Sequence, residues 1–400
     1  MKAYMQREKL YKIQMLLTNP FEPDPRVYKE AKSLVKAGFS VEVLAWDRTG
    51  LWPPAEVLDG IEITRFRCKG KYGGGLSSLR HFLGFYWHLA MNIRRHPPGA
   101  LHCHDLDTAA VGWLLKKLFS IPIFIYDAHE PDYYAHFPKI FKYLIDRLEA
   151  FVARRASGVF ITNGLQEKKF QRLHARKTLM IRNVPDPTTG GLEKPVHTNG
   201  LVIGRVGYIK PGIGLESLLE AAASLRKKFP AIKVVLVGKV FEAYQPIFET
   251  LLQKYAELVE YRGFFPYPEV LQNYRDFSIS YLGYELTPEF RYISPTKLFE
   301  SMAFGVPVIV SPVGDVREIL QKYPCGLILQ TVSTAEIATA IEDILAAPAL
   351  QKQFSLTGRQ AFEQDFNWTR MEKNLVEFYR SSSFSRLECG YSSGTTIGEK

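Results

Sequence analysis

Apolar residues recur along this chain with two periods. Short β-branched or apolar runs, of which KIQMLLT at 12–18 is the first, alternate with longer stretches in which apolar positions return every three or four residues. In RVYKEAKSLVKAG at 26–38, Val27, Ala31, Leu34 and Val35 fall at i, i+4, i+7 and i+8, one helix face that Gly38 closes. VEVLAW at 41–46 follows directly, which predicts a strand, helix, strand unit with parallel strands. The alternation continues through IEITRF (61–66), a helix around 77–95, ALHCH (100–104), a helix from Thr108, IPIFIY (121–126), a helix around 139–156 and GVFIT (158–162).

Between Arg182 and Gly200 the periodicity stops in RNVPDPTTGGLEKPVHTNG, a segment with the proline and glycine content of a linker. Alternation then restarts with LVIGRV (201–206), a helix at 214–229, IKVVLVG (232–238), a helix near 244–256, DFSISYL (276–282), a helix at 295–304 and VPVIV (306–310). Helical stretches at 333–346 and 368–380 end the pattern. The prediction is two Rossmann-like, doubly wound α/β domains at 1–185 and 200–365, a linker at 186–199, a helix at 366–380 crossing back to the first domain, and a flexible tail at 381–400. Two such domains set the carboxyl ends of two parallel sheets opposite one another across a cleft, which is the expected site.

Composition narrows the class. With 400 residues, 46% apolar and 23% charged, the chain is neither disordered nor a small stapled scaffold. Its charge of +10 is unevenly spread, because residues 1–185 hold 29 Lys and Arg against 17 Asp and Glu. A basic first half faces something anionic or carries solvated lysines on helix backs; nucleic acid, a phospholipid surface and a phosphorylated substrate are the candidates. Cys68, Cys103, Cys325 and Cys389 show no metal-ligand spacing and read as reduced thiols of a cytoplasmic protein. No export signal and no membrane span is expected.

Phosphate chemistry is concentrated in the second half. GRVGYIKPGIG puts Arg205 and Lys210 on a glycine-rich loop between a strand and a helix, where two cations can hold a diphosphate. In YISPTKLFESMAFG, Ser294 suits the N-cap and Pro295 the first helical position, leaving the N–H groups of Thr296, Lys297 and Leu298 at the positive end of the helix dipole. Glu300, one turn further, is placed to accept hydrogen bonds from two ribose hydroxyls. HDLD at 104–107 suggests a metal through Asp105 and Asp107, but its place after a strand favours helix capping or cleft lining.

These pieces resemble retaining glycosyltransferases of family 4, with the GT-B fold of two facing Rossmann-like domains. The similarity runs from about residue 12 to 380 and rests on DPRVYKEAKSLVKAGFSVEVL, DAHE (127–130), GRVGYIK (204–210), YRGFFPYPEVLQNYRDFSIS (261–280) and SPTKLFESMAFGVPVIVSPVGDVREIL (294–320). The resemblance implies that Arg205 and Lys210 bind the donor diphosphate and that Glu300 binds the ribose. It also implies that His129 of DAHE stands beside the reacting centre. Asp127 and Glu130 of the same segment are the candidates to orient it. Two departures stand out: Tyr292 occupies the place of the family's first motif Glu, with Glu285 and Glu289 nearby, and NPFEPDPRV replaces the usual glycine pair after the first strand.

The implied reaction moves a sugar from a nucleoside-diphosphate sugar to a hydroxyl of a carbohydrate or glycolipid acceptor with retained configuration, in cell-surface polysaccharide or glycolipid synthesis. Fixed cations and a helix N-terminus then stabilise the leaving diphosphate with no metal and no cofactor. The stretch SSLRHFLGFYWHLAMNIRR mixes Phe82, Phe85, Tyr86 and Trp87 with Arg80, Arg94 and Arg95, a composition that fits either peripheral contact with an anionic membrane or packing on the sheet. A dehydrogenase lacks its G-x-G-x-x-G after the first strand, and no nucleic-acid recognition module is present. A nucleotide-sugar epimerase and a non-catalytic nucleotide-sugar-binding partner remain as alternatives.

Overall fold

The computed structural model describes residues 12–22, 24–70, 79–129, 137–189, 201–267, 269–288, 290–294 and 296–391. Two compact units divide the chain. The first holds Met1–Thr162, Gln166–Arg182 and Met371–Lys400; the second holds Asn163–Leu165 and Asn183–Arg370.

The first unit is built on strands β1 (Lys12–Leu17), β2 (Ser40–Asp47), β3 (Ala55–Leu58), β4 (Ile61–Arg67), β5 (Ala100–His104), β6 (Ile123–Asp127), β7 (Gly158–Ile161) and β8 (Thr178–Met180). They lie in the order β3-β4-β2-β1-β5-β6-β7-β8, and only β3 runs antiparallel. Helices α1 (Pro25–Lys36), α2 (Leu79–Arg95), α3 (Asp105–Leu118), α4 (Lys139–Ala153) and α5 (Gly164–Arg172) make the crossovers. Asp24 starts α1 by accepting from the N–H groups of Arg26 and Val27, with Pro25 at the first helical position. Both faces of this sheet are covered, which explains why β1, β2 and β5 read as nearly continuous apolar runs. One core joins Leu16, Trp46, Phe85, Leu101, Leu106, Phe124, Val152 and Phe170, so α2 to α5 share a face.

The second unit has six parallel strands: β9 (Leu201–Val206), β10 (Ile232–Val237), β11 (Val259–Gly263), β12 (Ile279–Leu282), β13 (Val308–Val310) and β14 (Gly326–Ile328). Their order β11-β10-β9-β12-β13-β14 reverses direction between β9 and β12, the point where open α/β sheets bind ligands. Its helices are α6 (Leu215–Leu225), α7 (Gln245–Lys254), α8 (Thr296–Ala303), α9 (Val316–Lys322), α10 (Thr334–Leu345) and α11 (Pro348–Gln364). In the first sheet the corresponding reversal lies between β1 and β5.

Several boundaries differ from the sequence expectation. The first unit closes at Arg182 rather than residue 185, and the second runs to Arg370 rather than 365. The last helix, α12 (Trp368–Tyr391), returns to the first unit from Met371 onward and continues through 381–391, where a flexible tail was expected. Its Phe378 packs against Gly158, where a side chain would meet the ring at 2.5 Å, and the Tyr379 ring lies tilted against Phe39, 5.7 Å between centres. The linker positions 190–199 and the tail positions 392–400 lie outside the described residues.

Candidate functional site

At the carboxyl edge of the second sheet three segments converge. Strand β9 ends in Arg205 and Val206, and Gly207 then turns at φ +125°, a conformation that favours glycine. A Cβ at Gly207 would lie 3.9 Å from Lys297 Cε, so the first turn of α8 runs alongside this turn. The loop after β12 meets the same segment from the other side: the Glu285 N–H donates to the Gly212 carbonyl at 2.8 Å, and Lys210 Nζ lies 4.7 Å from the Phe290 ring centre.

Arg205 is buried, with its guanidinium carbon 5.0 Å from the Tyr284 ring centre and Nη1 3.5 Å from the Tyr281 carbonyl. Its Nε has no hydrogen-bond partner among the described residues, and neither do the buried hydroxyls of Thr287 and Ser294. Buried donors are costly to leave unpaired, so their concentration around the loops that hold Arg205, Lys210 and Lys297 marks a place built to receive acceptor oxygens.

Helix α8 begins at Thr296, and Pro295 lies outside the described residues. The capping expectation for Ser294 needs correction. Its main-chain carbonyl, not its hydroxyl, accepts the Thr296 N–H at 2.8 Å, so that N–H is not free and the hydroxyl is left unpaired. Lys297 and Leu298 occupy the first helical turn, whose N–H groups lack intrahelical partners. Leu298 itself is anchored in the core. Glu300 is buried and oriented: Lys297 Nζ sits 2.9 Å from Oε1, and the Tyr274 hydroxyl donates to Oε2 at 2.9 Å. Two of the roughly four lone-pair positions of the carboxylate are used.

His129 stands at the carboxyl end of β6 in the first unit, on a buried charge network that the sequence reading missed apart from Asp127. Arg26 on α1 donates from Nε and Nη2 to Asp127 at 3.2 and 2.7 Å, and from Nη1 to the Ile181 carbonyl at 2.6 Å. Asp127 Oδ2 lies 3.2 Å from His129 Nε2, which is also 2.9 Å from His104 Nδ1. His102 and His104 alternate on β5, so both point to the α1 side, their rings stacked at 4.4 Å. Tyr379 of α12 hydrogen-bonds His102 Nδ1 at 2.9 Å. The expected orientation of His129 by Asp127 is present; Glu130 lies outside the described residues.

The charges of this network sort themselves by contact. Burial opposes ionisation of Asp127, but Arg26 and His129 hold it well below the usual carboxylate range. Burial together with neighbouring Asp127 pushes Glu30 well above that range, and burial lowers both His102 and His104. Burial also works against a charge on His129, yet Asp127 and Asp105 outweigh it and carry its pKa up to about 9. The stable arrangement is a cation, an anion and a cation in line: Arg26, Asp127 and His129. With Nε2 committed to Asp127 and His104, the proton on His129 Nδ1 faces the half-exposed Asp105 across 3.9 Å and is the one open to an incoming oxygen.

Asp105 and Asp107 open α3, which starts at Asp105 and not at Thr108. Asp107 accepts from the Thr18 hydroxyl and the Thr108 N–H, and Asp105 accepts the His129 N–H at 3.3 Å, so both carboxylates are engaged at the turn that starts the helix. Glu30, His102, His104 and Asp127 do bring ligand-type atoms within 4.8 Å of one another. Arg26 lies among them, bonded to Asp127 and 3.3 Å from Glu30, and supplies the positive charge at their centre. A divalent cation would add charge beside a fixed one.

The description "Glycosyl transferase 4-like domain" matches residues 23–183, and "Glycosyl transferases group 1" matches residues 193–361. The chain belongs to the group 1 glycosyltransferases of the family 4 type. This transferase is 23% identical over 387 residues to D-inositol 3-phosphate glycosyltransferase of Geodermatophilus obscurus, covering 89% of this chain and 84% of the relative. It is 20% identical to glycogen synthase of Mycobacterium tuberculosis, over 70% of this chain and 68% of that one. Among solved structures, sucrose-phosphate synthase from Thermosynechococcus elongatus superimposes with TM-score 0.77 at 19% identity, covering 94% of this chain and all of that one. The Anabaena protein Alr3699/HepE in complex with UDP-glucose gives 0.71 at 16% identity, over 92% and 99%. At such identities the likeness establishes the fold, which is GT-B with two parallel-sheet α/β domains.

The transferase's buried network had a faint trace in its sequence. ALHCH places two histidines at strand period on one face, and Arg26 and Glu30 are spaced i, i+4 on α1. Nothing local connects these pairs to Asp127 or to Tyr379. Tyr292, at the family's first motif Glu, is half-buried beneath the Arg291 guanidinium, 5.6 Å away, and its carbonyl accepts from Asn163 Nδ2. Glu285 is exposed and Glu289 lies outside the described residues.

Proposed function

We propose that the protein transfers a sugar from a nucleoside-diphosphate sugar to a hydroxyl acceptor with retention at the anomeric carbon and without a metal ion. The single observation that carries this reading is the unpartnered, buried Arg205 Nε together with the unpaired Ser294 hydroxyl just before α8. Arg205 and Lys210 bind the diphosphate, with the first turn of α8 through Lys297 and Leu298 adding N–H donors, and Glu300 receives the ribose hydroxyls. As the sugar leaves, negative charge accumulates on the diphosphate; fixed donors that require no reorganisation lower that barrier.

His129 donates a hydrogen bond from Nδ1 to a donor phosphate oxygen or to the acceptor hydroxyl. No enzymic nucleophile is assigned. The likeness to a D-inositol 3-phosphate glycosyltransferase and to the Anabaena protein Alr3699/HepE, solved with UDP and with UDP-glucose, supports a nucleotide-sugar donor. Cell-surface polysaccharide or glycolipid synthesis, in the cytoplasm with peripheral contact at an anionic membrane, is the setting this chemistry fits. The test is donor turnover in EDTA followed by anomeric analysis of the product. Turnover that requires Mg²⁺, or inversion at the anomeric carbon, rejects the corresponding part of the reading.

A further inference from the structure

Helix α4 carries an apolar face that nothing among the described residues of its own unit covers. Ile140, Phe141, Leu144 and Leu148 fall at i, i+1, i+4 and i+8, within an arc of about 100°, with Phe137 just ahead of them. Ile140 is 68% exposed, Phe141 and Leu144 56% each, Phe137 48% and Leu148 42%. Among the described residues no other helix exposes as many large apolar side chains. The C-terminal end of the helix is firmly held: Val152 and Ala153 are in the core, and Glu149 takes the Tyr126 hydroxyl at 3.1 Å and Lys169 at 2.7 Å.

Helix α2 adds to the same face of the sheet, and of the two readings its sequence left open, packing on the sheet holds for its aromatic residues Phe82, Phe85 and Tyr86. Phe85 is buried against Trp46 at 5.0 Å, and Phe82 and Tyr86 pack on the same core, while Leu83 and Trp87 point outward at 62% and 66% exposure. The side chain of Arg80 lies outside the described residues.

We propose that the outward stripe of α4, assisted by Leu83 and Trp87, seats this protein on an anionic lipid bilayer. The inference rests on the membrane contact proposed above and assigns it to a surface. Charge decides the occupant. Exposed Arg147 flanks the stripe and exposed Arg154 and Arg155 follow it, while Asp146, the one exposed acidic residue of α4, projects from the opposite side. Cations beside an apolar stripe suit the boundary of acyl chains and anionic headgroups. The four helical side chains offer roughly 400 Å², below the ~800 Å² per partner of a stable protein interface. Topology ties the surface to the chemistry. β6 ends at Asp127 on the carboxyl edge, and a crossover helix runs back from that edge, so the stripe begins at the edge that bears His129. An acceptor hydroxyl held at the bilayer surface is thereby brought to that edge.

The experiment is flotation of the full chain with phosphatidylcholine vesicles holding about 30 mol% phosphatidylglycerol. Pure phosphatidylcholine vesicles serve as control, at about 0.1 M and about 1 M salt. Ile140→Asp with Leu144→Asp is the variant, and Leu114→Asp with Leu118→Asp, on the exposed side of α3, controls for general surface change; thermal midpoints confirm folding. Wild type and the α3 variant float with anionic vesicles at low salt, and the α4 variant loses at least about tenfold of its bound fraction. No flotation of wild type, or equal flotation of the α4 variant, overturns the proposal. So does a wild-type dimer that the α4 variant makes monomeric, because the stripe then joins two copies. Nucleotide binding is measured on the same samples: flotation that depends on the stripe in protein that binds no nucleotide keeps this inference and sinks the donor reading.

Discussion

His129 gives the sharpest test of the network beneath it. A pKa near 9 in the folded protein against 6.5 in an unfolded chain means the native state holds this proton more tightly by about 3 kcal/mol at 1.36 kcal/mol per unit. Because the folded value is the raised one, the stabilisation is complete below about pH 6.5 and is lost as pH climbs to about 9. The perturbation is His129→Gln, which keeps a hydrogen-bond donor but cannot titrate. Urea unfolding is followed from pH 6 to 9.5 in both proteins. The wild-type advantage is expected to shrink by about 3 kcal/mol between pH 6.5 and 9. Selective imidazole NMR locates the midpoint directly, and Asp127→Asn should bring it below 6.5, since burial then dominates. A His129 that titrates near 6.5 in the wild type, or a stability difference flat across that window, refutes the argument.

Other consequences follow from single contacts. Arg205→Ala should lower kcat by about 10²- to 10³-fold, the loss of one charge-stabilising donor, while circular dichroism stays native; a fully active mutant ends that role. Tyr274→Phe removes the hydroxyl that donates to Glu300 Oε2 and should cost about 1–3 kcal/mol of stability, read by denaturant midpoint. Gly204→Ala would put a methyl carbon 2.1 Å from the Phe277 ring, so unfolding should be easier by at least about 1–3 kcal/mol. An unchanged midpoint would show that the β9 to Phe277 packing is looser than described.

How much of this was legible beforehand depended on range. Strands such as β5 and β6 lie between helices and are buried on both faces, so their apolar runs announced them. Strand β3 escaped because all four of its residues are exposed and only pairing with β4 makes it a strand. Strands β8 and β14 have three residues each and no periodicity to detect. The start of α3 was misplaced because Asp105 sits at φ +65°, a turn geometry that no spacing reveals. In the second unit the glycine loop and the SPTKLFE segment are local motifs, and the fold brings Arg205, Lys210, Lys297 and Glu300 to one sheet edge. The His129 network joins residues 26, 102, 104, 127 and 379, so its parts were visible and their meeting was not.

The central claim is that the loops around Arg205 hold a nucleoside diphosphate without a metal. Calorimetric titration of UDP, GDP and ADP into the full chain in EDTA tests it most directly, with Arg205→Ala alongside. One nucleotide should bind the wild type, and the variant should bind it about 10- to 100-fold more weakly, the loss of a charged hydrogen bond worth about 1.5–3 kcal/mol. A folded wild-type protein that binds none of them, or an Arg205→Ala variant that binds as tightly, would contradict the account.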